Sequence, residues 1–133
     1  MAVPPRSAAK AANVLQYRAD ASGHYFVDAS VNGTTIRFLV DTGASVVALS
    51  RDDARAAGIA DGGLQFSEIM STANGQARAA RASLRSVRLE QLEVLDVPAV
   101  VMDQPMPVSL LGMSFLNKLE GYSIRDGILT MEW

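Results

Sequence analysis

The apolar and polar positions along this chain alternate in short runs cut by acidic or Asn-Gly turns, the pattern of successive strands. Val14-Leu15-Gln16-Tyr17-Arg18 predicts a first strand, after which Asp20-Ala21-Ser22-Gly23 turns the chain. Residues 25–31 and 35–40 flank Asn32-Gly33, and that dipeptide predicts a tight hairpin because both positions accept positive φ. The second arm enters Phe38-Leu39-Val40-Asp41-Thr42-Gly43-Ala44-Ser45-Val46-Val47-Ala48-Leu49, an apolar run with one carboxylate and one glycine in its middle. Such a run should be buried, and an ionised Asp within it is costly unless paired, hydrogen-bonded or protonated. The run predicts strand, acidic turn and strand, the last over residues 45–49.

Ser50-Arg51-Asp52-Asp53 has the Ser-x-x-acid spacing of a capping box, and Gly58 is placed to end a short helix through Ala57. Residues 64–84 alternate loosely about Thr72-Ala73-Asn74-Gly75-Gln76, a second Asn-Gly hairpin. Its arms are polar and small, so this ribbon is expected to stand out from the body and open readily. Residues 86–89 and 92–95 predict pairing around Glu90-Gln91, residues 99–102 a short strand after Pro98, and residues 103–107 a loop with two prolines. Val108-Ser109-Leu110-Leu111-Gly112 is a second apolar run that stops at a glycine. It leads into residues 113–119, expected to form a two-turn helix with Phe115, Leu116 and Leu119 inward and Gly121 beyond its end. Tyr122-Ser123-Ile124 and residues 128–133 close the chain around Asp126-Gly127. The expected fold class is mostly β, with hairpins and one or two short helices.

Composition narrows the function more than the fold. With 133 residues, 49% of them apolar, the chain has material for one compact core, expected over residues 14–133. Residues 1–13, Ala-rich with Pro4-Pro5, lack a sustained apolar period and are expected to be a flexible linker left from a longer protein. No apolar block there reaches the length of a signal-peptide core or membrane span, so the chain as it stands is expected to be soluble. A net charge of −2, with basic residues scattered, leaves no footprint for nucleic acid. The absence of cysteine removes disulfides and thiolate nucleophiles, and a single histidine, His24, has no neighbour for a zinc or Ser-His site. No metal or cofactor is expected, and His24 is assigned a structural or solvated role.

The order of features, a hairpin into Asp41-Thr42-Gly43-Ala44-Ser45, a polar Asn-Gly hairpin, Leu110-Leu111-Gly112 before a short helix, and a terminal strand, resembles the single-domain retropepsin-like aspartic proteases over residues 23–133. The likeness is greatest to their bacterial branch, carried by Leu39-Val40-Asp41-Thr42-Gly43-Ala44-Ser45, by Thr72-Ala73-Asn74-Gly75 and by Leu110-Leu111-Gly112-Met113-Ser114-Phe115-Leu116. An Asp-Thr-Gly triplet alone arises by chance in roughly a few per cent of chains this long. Its order and spacing with the other two stretches are what is specific. Glu90-Gln91 departs from the family pattern, which leads one to expect glycine in that turn.

The resemblance implies a closed, barrel-like half of a pepsin-type enzyme, and an aspartic endopeptidase that activates water by general acid-base catalysis with Asp41 as the catalytic residue. That chemistry needs two carboxylates, and no other Asp is followed by Thr-Gly or Ser-Gly. A homodimer is therefore expected, with Asp41 facing its mate across a two-fold axis. Two carboxylates about 3 Å apart at an effective dielectric near 20 repel by roughly 5 kcal/mol if both ionise, so one shared proton is expected, as in aspartic proteases as a class.

The resemblance also implies that the Thr42 hydroxyls bond across the axis, that Gly43 lets substrate lie close, and that Ala44 and Ser45 complete the loop. Thr72, Ala73, Asn74, Gly75 and Gln76 would be a flap over a protein or peptide substrate bound as an extended strand. Leu110, Leu111 and Gly112 would brace the acidic loop from behind, and residues 128–133 would supply part of the dimer sheet. It further implies a periplasmic location, with an inner-membrane tether outside this chain, and a preference for apolar side chains beside the cut bond. The residues themselves leave open a non-catalytic peptide-binding or dimerisation module on the same fold, and a β-rich scaffold in which Asp41 is only a turn residue.

Overall fold

The computed structural model describes residues 13–59, 61–72 and 75–133. The expected linker, up to residue 12, and the flap residues Ala73 and Asn74 lie outside them. In chain order the elements are β1 (Val14–Arg18), β2 (Phe26–Val31), β3 (Thr34–Val40), β4 (Val47–Leu49), α1 (Arg51–Ala56), a 3-10 turn (Asp61–Gly63), β5 (Glu68–Thr72), β6 (Gly75–Leu89), β7 (Leu92–Met102), β8 (Ser109–Leu111), α2 (Met113–Leu116), β9 (Gly121–Arg125) and β10 (Ile128–Glu132). Among the described residues no helix is long and apolar enough to cross a membrane.

The larger sheet runs β2-β3-β8-β4-β7-β6-β5, and β2 also pairs with β6 through Ser30↔Arg88 and Val31↔Val87. That extra pairing closes six strands into a barrel and leaves β5 as a flange on β6. Two of the pairings, β3 with β8 and β4 with β7, are parallel, so the chain crosses the barrel between them instead of turning back. The barrel is filled by Phe38, Leu49, Leu84, Leu89, Leu92, Leu111 and Phe115, all fully buried. A second sheet, β1-β10-β9, lays Leu15, Leu129 and Met131 on the same core.

The tight turns follow their residue chemistry. Asn32 and Gly33 take φ of 50° and 91°, and Asp126 and Gly127 take 54° and 74°. Glu90, where glycine is absent, adopts φ 52° all the same. It lies near enough to Tyr17 of β1 for its charge to act on the Tyr17 hydroxyl. Burial first, then the charges of Glu90 and Asp28, push the Tyr17 hydroxyl up to about 12.

Several expectations are corrected. The helix after Gly112 is one turn, because the N–H groups of Lys118 and Leu119 bond back three residues and Glu120 N–H is already held by Glu132 of β10. Residues 86–89 and 92–95 pair around Glu90-Gln91 as expected, but residues 99–102 are not a separate short strand: they continue β7, which runs unbroken from Leu92 through Pro98 to Met102 along β6. Pro98 sits opposite Ser83 and has its carbonyl taken by Ser114 (2.6 Å). The polar ribbon is not free of the body: Ala77 and Ala79 of β6 are buried against β7. β10, within residues 128–133, is the middle strand of the second sheet, between β1 and β9.

Candidate active site

Asp41 follows β3 directly, at the point where the parallel β3–β8 ladder ends with Val40 beside Leu111. Its backbone N–H donates to the Leu111 carbonyl (3.1 Å), and its own carbonyl accepts from Ala44 N–H (3.1 Å), closing a four-residue turn. Within the turn the Asp41 Oδ1 accepts the Gly43 N–H at 2.9 Å, a local bond that Asp side chains form readily. The carboxylate is half-buried, with Thr42 and Gly43 exposed beside it.

Behind the turn Gly112 brings two backbones together. A Cβ there would stand 2.6 Å from the Ala44 carbonyl oxygen and closer still to that of Val46, so only glycine fits. Met113 N–H then donates to the Ala44 carbonyl (2.8 Å). One residue on, the Ser114 hydroxyl accepts Val47 N–H (2.8 Å) and donates to the Pro98 carbonyl (2.6 Å), joining β4, β7 and α2 at one atom. Ser109, buried in β8, does the same below: its hydroxyl accepts Ser50 N–H (3.0 Å) and donates to Asp53 Oδ2 (2.6 Å). The expected capping box at α1 is thereby half direct and half relayed. Ser50 Oγ accepts Asp53 N–H (3.1 Å), while the return bond runs through Ser109.

In front of the turn lies an open groove of about 550 Å3. Gly43, Ala44, Ser45 and Val46 form its wall on the acidic side, residues 69–72 of β5 overhang it, residues 104–107 close the far end, and Ala48, Val100, Met102 and Leu110 make an apolar floor. Among the described residues that line it none is acidic. The floor belongs to a second apolar cluster, Ala48, Ala77, Ala79, Val100 and Met102, distinct from the barrel core.

The expected site residues therefore fall into three groups. Gly43, Ala44, Ser45, Thr72 and Leu110 line the groove, while Asp41 and Thr42 do not line it but directly precede Gly43 in the same turn. Leu111 and Gly112 are buried behind the turn. Gly75 and Gln76 are exposed and do not line the groove; Gln76 lies beside a smaller cavity with Arg78 and Asp103. The Thr72 hydroxyl donates to the Gly75 carbonyl (2.7 Å), which stiffens the hairpin end. Sequence reasoning missed the positioning hydroxyls of Ser109 and Ser114. Their signal was a lone polar residue in or beside an apolar run, which if buried must find partners.

Comparison with known proteins agrees with this geometry. Residues 27–118 match the family described as gag-polyprotein putative aspartyl protease. Over 111 residues the chain is 36% identical to an uncharacterized protein of Rickettsia prowazekii and 39% identical to one of a Sinorhizobium species, covering 84% and 83% of this chain. It spans about half the length of these curated relatives, 48% of each. Its structure is similar to the crystal structure of a retropepsin-like aspartic protease from Rickettsia conorii, with a TM-score of 0.82, 33% identity and 90% of each chain covered. The EIAV protease, solved in complex with an inhibitor, aligns with a TM-score of 0.62 at 18% identity, over 75% of this chain and 91% of that one, a likeness of fold alone.

Proposed function

Because the chain belongs to the gag-polyprotein aspartyl protease family, we propose that it is an aspartic endopeptidase that works as a homodimer, each copy supplying one Asp41. The observation that carries this reading is an Asp-Thr-Gly turn held from behind by Leu111 and Gly112 and opening in front onto an apolar groove with no acidic side chain among the described residues that line it. The carboxylate is poised, and its counterpart has to come from a second chain.

In the dimer one Asp41 is ionised and one protonated. The ionised carboxylate takes a proton from a bound water as the water oxygen attacks the scissile carbonyl carbon, and the protonated one gives its proton to the carbonyl oxygen. The tetrahedral diol then collapses: one diol hydroxyl gives its proton to the ionised carboxylate, the C–N bond breaks, and the leaving nitrogen takes up the proton held by the other carboxyl, so the dyad again holds one proton. The peptide lies extended along the unpaired edge of β5, its side chains alternating between the apolar floor and solvent. By the same reading the full-length protein is tethered in the periplasm by a segment outside this chain. Reporter fusions to the full-length protein that fluoresce only on the cytoplasmic side would refute that placement.

The test compares wild type with Asp41→Asn on unfolded protein substrates, with a statine-type transition-state mimic as inhibitor. Hydrolysis should vanish in the variant, be blocked by the mimic and rise with more than first-order dependence on protein concentration at high dilution. Cleavage that survives Asp41→Asn would falsify the mechanism. Peptide capture without cleavage by either protein at any concentration would point to a binding module instead.

A further inference from the structure

Residues 104–107 divide two spaces. On one side they close the far end of the groove; on the other, Gln104, Pro105 and Met106 also line a second cavity of about 360 Å3, whose opposite side is the start of α1 with Arg51 and Arg55. Little holds this partition along its length. Among the described residues, 104–107 make no hydrogen bond, and Pro105 and Pro107 have no N–H to offer. It is fastened at its two ends, and both fastenings lead to the first turn of α1. At one end the Asp103 N–H continues the β6–β7 ladder by donating to the Arg78 carbonyl (3.0 Å), while Asp103 Oδ1 accepts from Arg51 Nη1 (3.0 Å). At the other, the Ser109 hydroxyl accepts Ser50 N–H and donates to Asp53 Oδ2.

The two ends are not equally firm. Ser109 is fully buried, whereas the side chains of Arg51 and Asp103 are 38% and 43% exposed. What places the guanidinium is Phe66, over whose ring it lies at 4.8 Å and which itself packs against the barrel core. We propose, resting on the endopeptidase reading, that Arg51 is a positioning residue: by holding Asp103 it keeps residues 104–107 forward against the groove, and so sets how large an apolar side chain of the substrate the far end accepts. With the pair intact, Met106 packs onto the apolar floor and the wall stands on the groove side. With the pair removed, the wall can retreat into the 360 Å3 space behind it, and larger side chains enter. An ion pair this exposed contributes little to folding. It acts on selectivity all the same, because room for a single methylene in an apolar pocket changes discrimination by about 10–200-fold.

Asp103→Ala and Arg51→Met each remove the pair, and the second leaves an apolar stem over Phe66. Two peptide series test them, each varying one apolar side chain from leucine to naphthylalanine at every position in turn. One series is cleavable and gives kcat and KM; the other carries a reduced, uncleavable amide and gives Kd. At the position that meets the far end, wild type should prefer leucine. In both variants that preference, read in KM and Kd, should fall about 10-fold or more, with kcat for the leucine peptide within about twofold and Tm little changed. The double variant should lose no more than either single one, since both act through the same contact. Asp52→Ala, which removes the exposed pair to Arg55 on the same helix (3.1 Å), should keep the wild-type preference. A preference that is absent at every position, unchanged in both single variants, lost additively in the double variant or lost equally in Asp52→Ala overturns the role of Arg51 and leaves the endopeptidase reading standing. A wild type that binds the reduced-amide peptides and cleaves none of the others overturns the endopeptidase reading, and the Kd ratios then decide the role of Arg51 by themselves. A wild type that binds neither series overturns both.

Discussion

Replacing Gly112 by alanine tests the joint beneath Asp41 most directly. Its backbone, at φ −102° and ψ −164°, is open to any residue, so the objection to a side chain is space alone. The added Cβ would meet the Ala44 carbonyl oxygen at 2.6 Å, where a C···O contact normally needs about 3.3 Å. The loop would have to retreat by roughly 0.7 Å on this contact, and more on Val46. Two bonds resist that movement, Met113 N–H to Ala44 O and Val47 N–H to Ser114 Oγ, both 2.8 Å. Overpacking of this kind costs about 1–3 kcal/mol, and the loss of one of those bonds adds about 1 kcal/mol. Against a total stability of about 5–15 kcal/mol, a loss of about 2–4 kcal/mol should lower Tm by roughly 8–16 °C at this chain length. Gly62→Ala, with open space around the added atom, should stay within about 0.5 kcal/mol of wild type. Gly43→Ala separates site from scaffold: its Cβ would lie 3.2 Å from Asp41 Oδ1, a side-chain atom that can swing away. It should cost activity while sparing stability. Urea unfolding followed by circular dichroism, alongside peptide hydrolysis, reads both quantities. The account of the joint fails if Gly112→Ala unfolds like wild type, or if Gly43→Ala is as unstable as Gly112→Ala yet fully active.

Two further outcomes follow from the polar contacts. Ser109→Ala strands Ser50 N–H and the Asp53 carboxylate at the start of α1 and should lower the unfolding free energy by about 1–3 kcal/mol; a change below about 0.5 kcal/mol would show that water or a rearranged Asp53 replaces the hydroxyl. Tyr17, whose hydroxyl is raised from 10.0 to about 12, holds its proton more tightly folded than unfolded. Its contribution to stability is complete below pH 10 and is lost as pH rises through 12, so Tyr17→Phe should flatten the decline of stability over that window, and an unaltered slope refutes the assignment.

Turns and strand types were legible in the sequence because their chemistry is local. Asn32-Gly33 and Asp126-Gly127 need positive φ, and the residues that supply it are few. Strand lengths were not legible, for a reason visible at Ala79-Ala80. Both are buried, Ala79 opposite Met102 in the groove cluster and Ala80 opposite Val101 in the core, so alternation vanishes where the sheet is covered on two sides. Pro98 misled for a related reason: the break it signals is overridden by its place in a long hairpin and by the Ser114 hydroxyl on its carbonyl. Of the site, the Asp41 turn could be read from its residues alone. The groove could not, since its floor is assembled from β4, β7 and β8 by two parallel pairings that no local pattern announces.

Those two-sided strands give the groove its physical meaning. In β4 the core takes Val47 and Leu49 and the groove takes Ala48; in β7 the core takes Val101 and the groove Val100 and Met102; in β8 the core takes Leu111 and the groove Leu110. A continuous apolar run is stable only when both faces are covered, and here one face has the barrel interior while the other has a partly open second cluster. Each apolar side chain that enters the groove and is fully buried contributes about 1.5–3 kcal/mol, and a strand laid along β5 adds main-chain bonds. The small residues Ala44 and Ala48, poor fillers for a core, are what keep that volume free. On this reading the ligand completes the sheet's second core, so apolar residues in an extended segment are selected by the same burial that the chain's own apolar runs require, and the cut falls where that segment crosses Asp41.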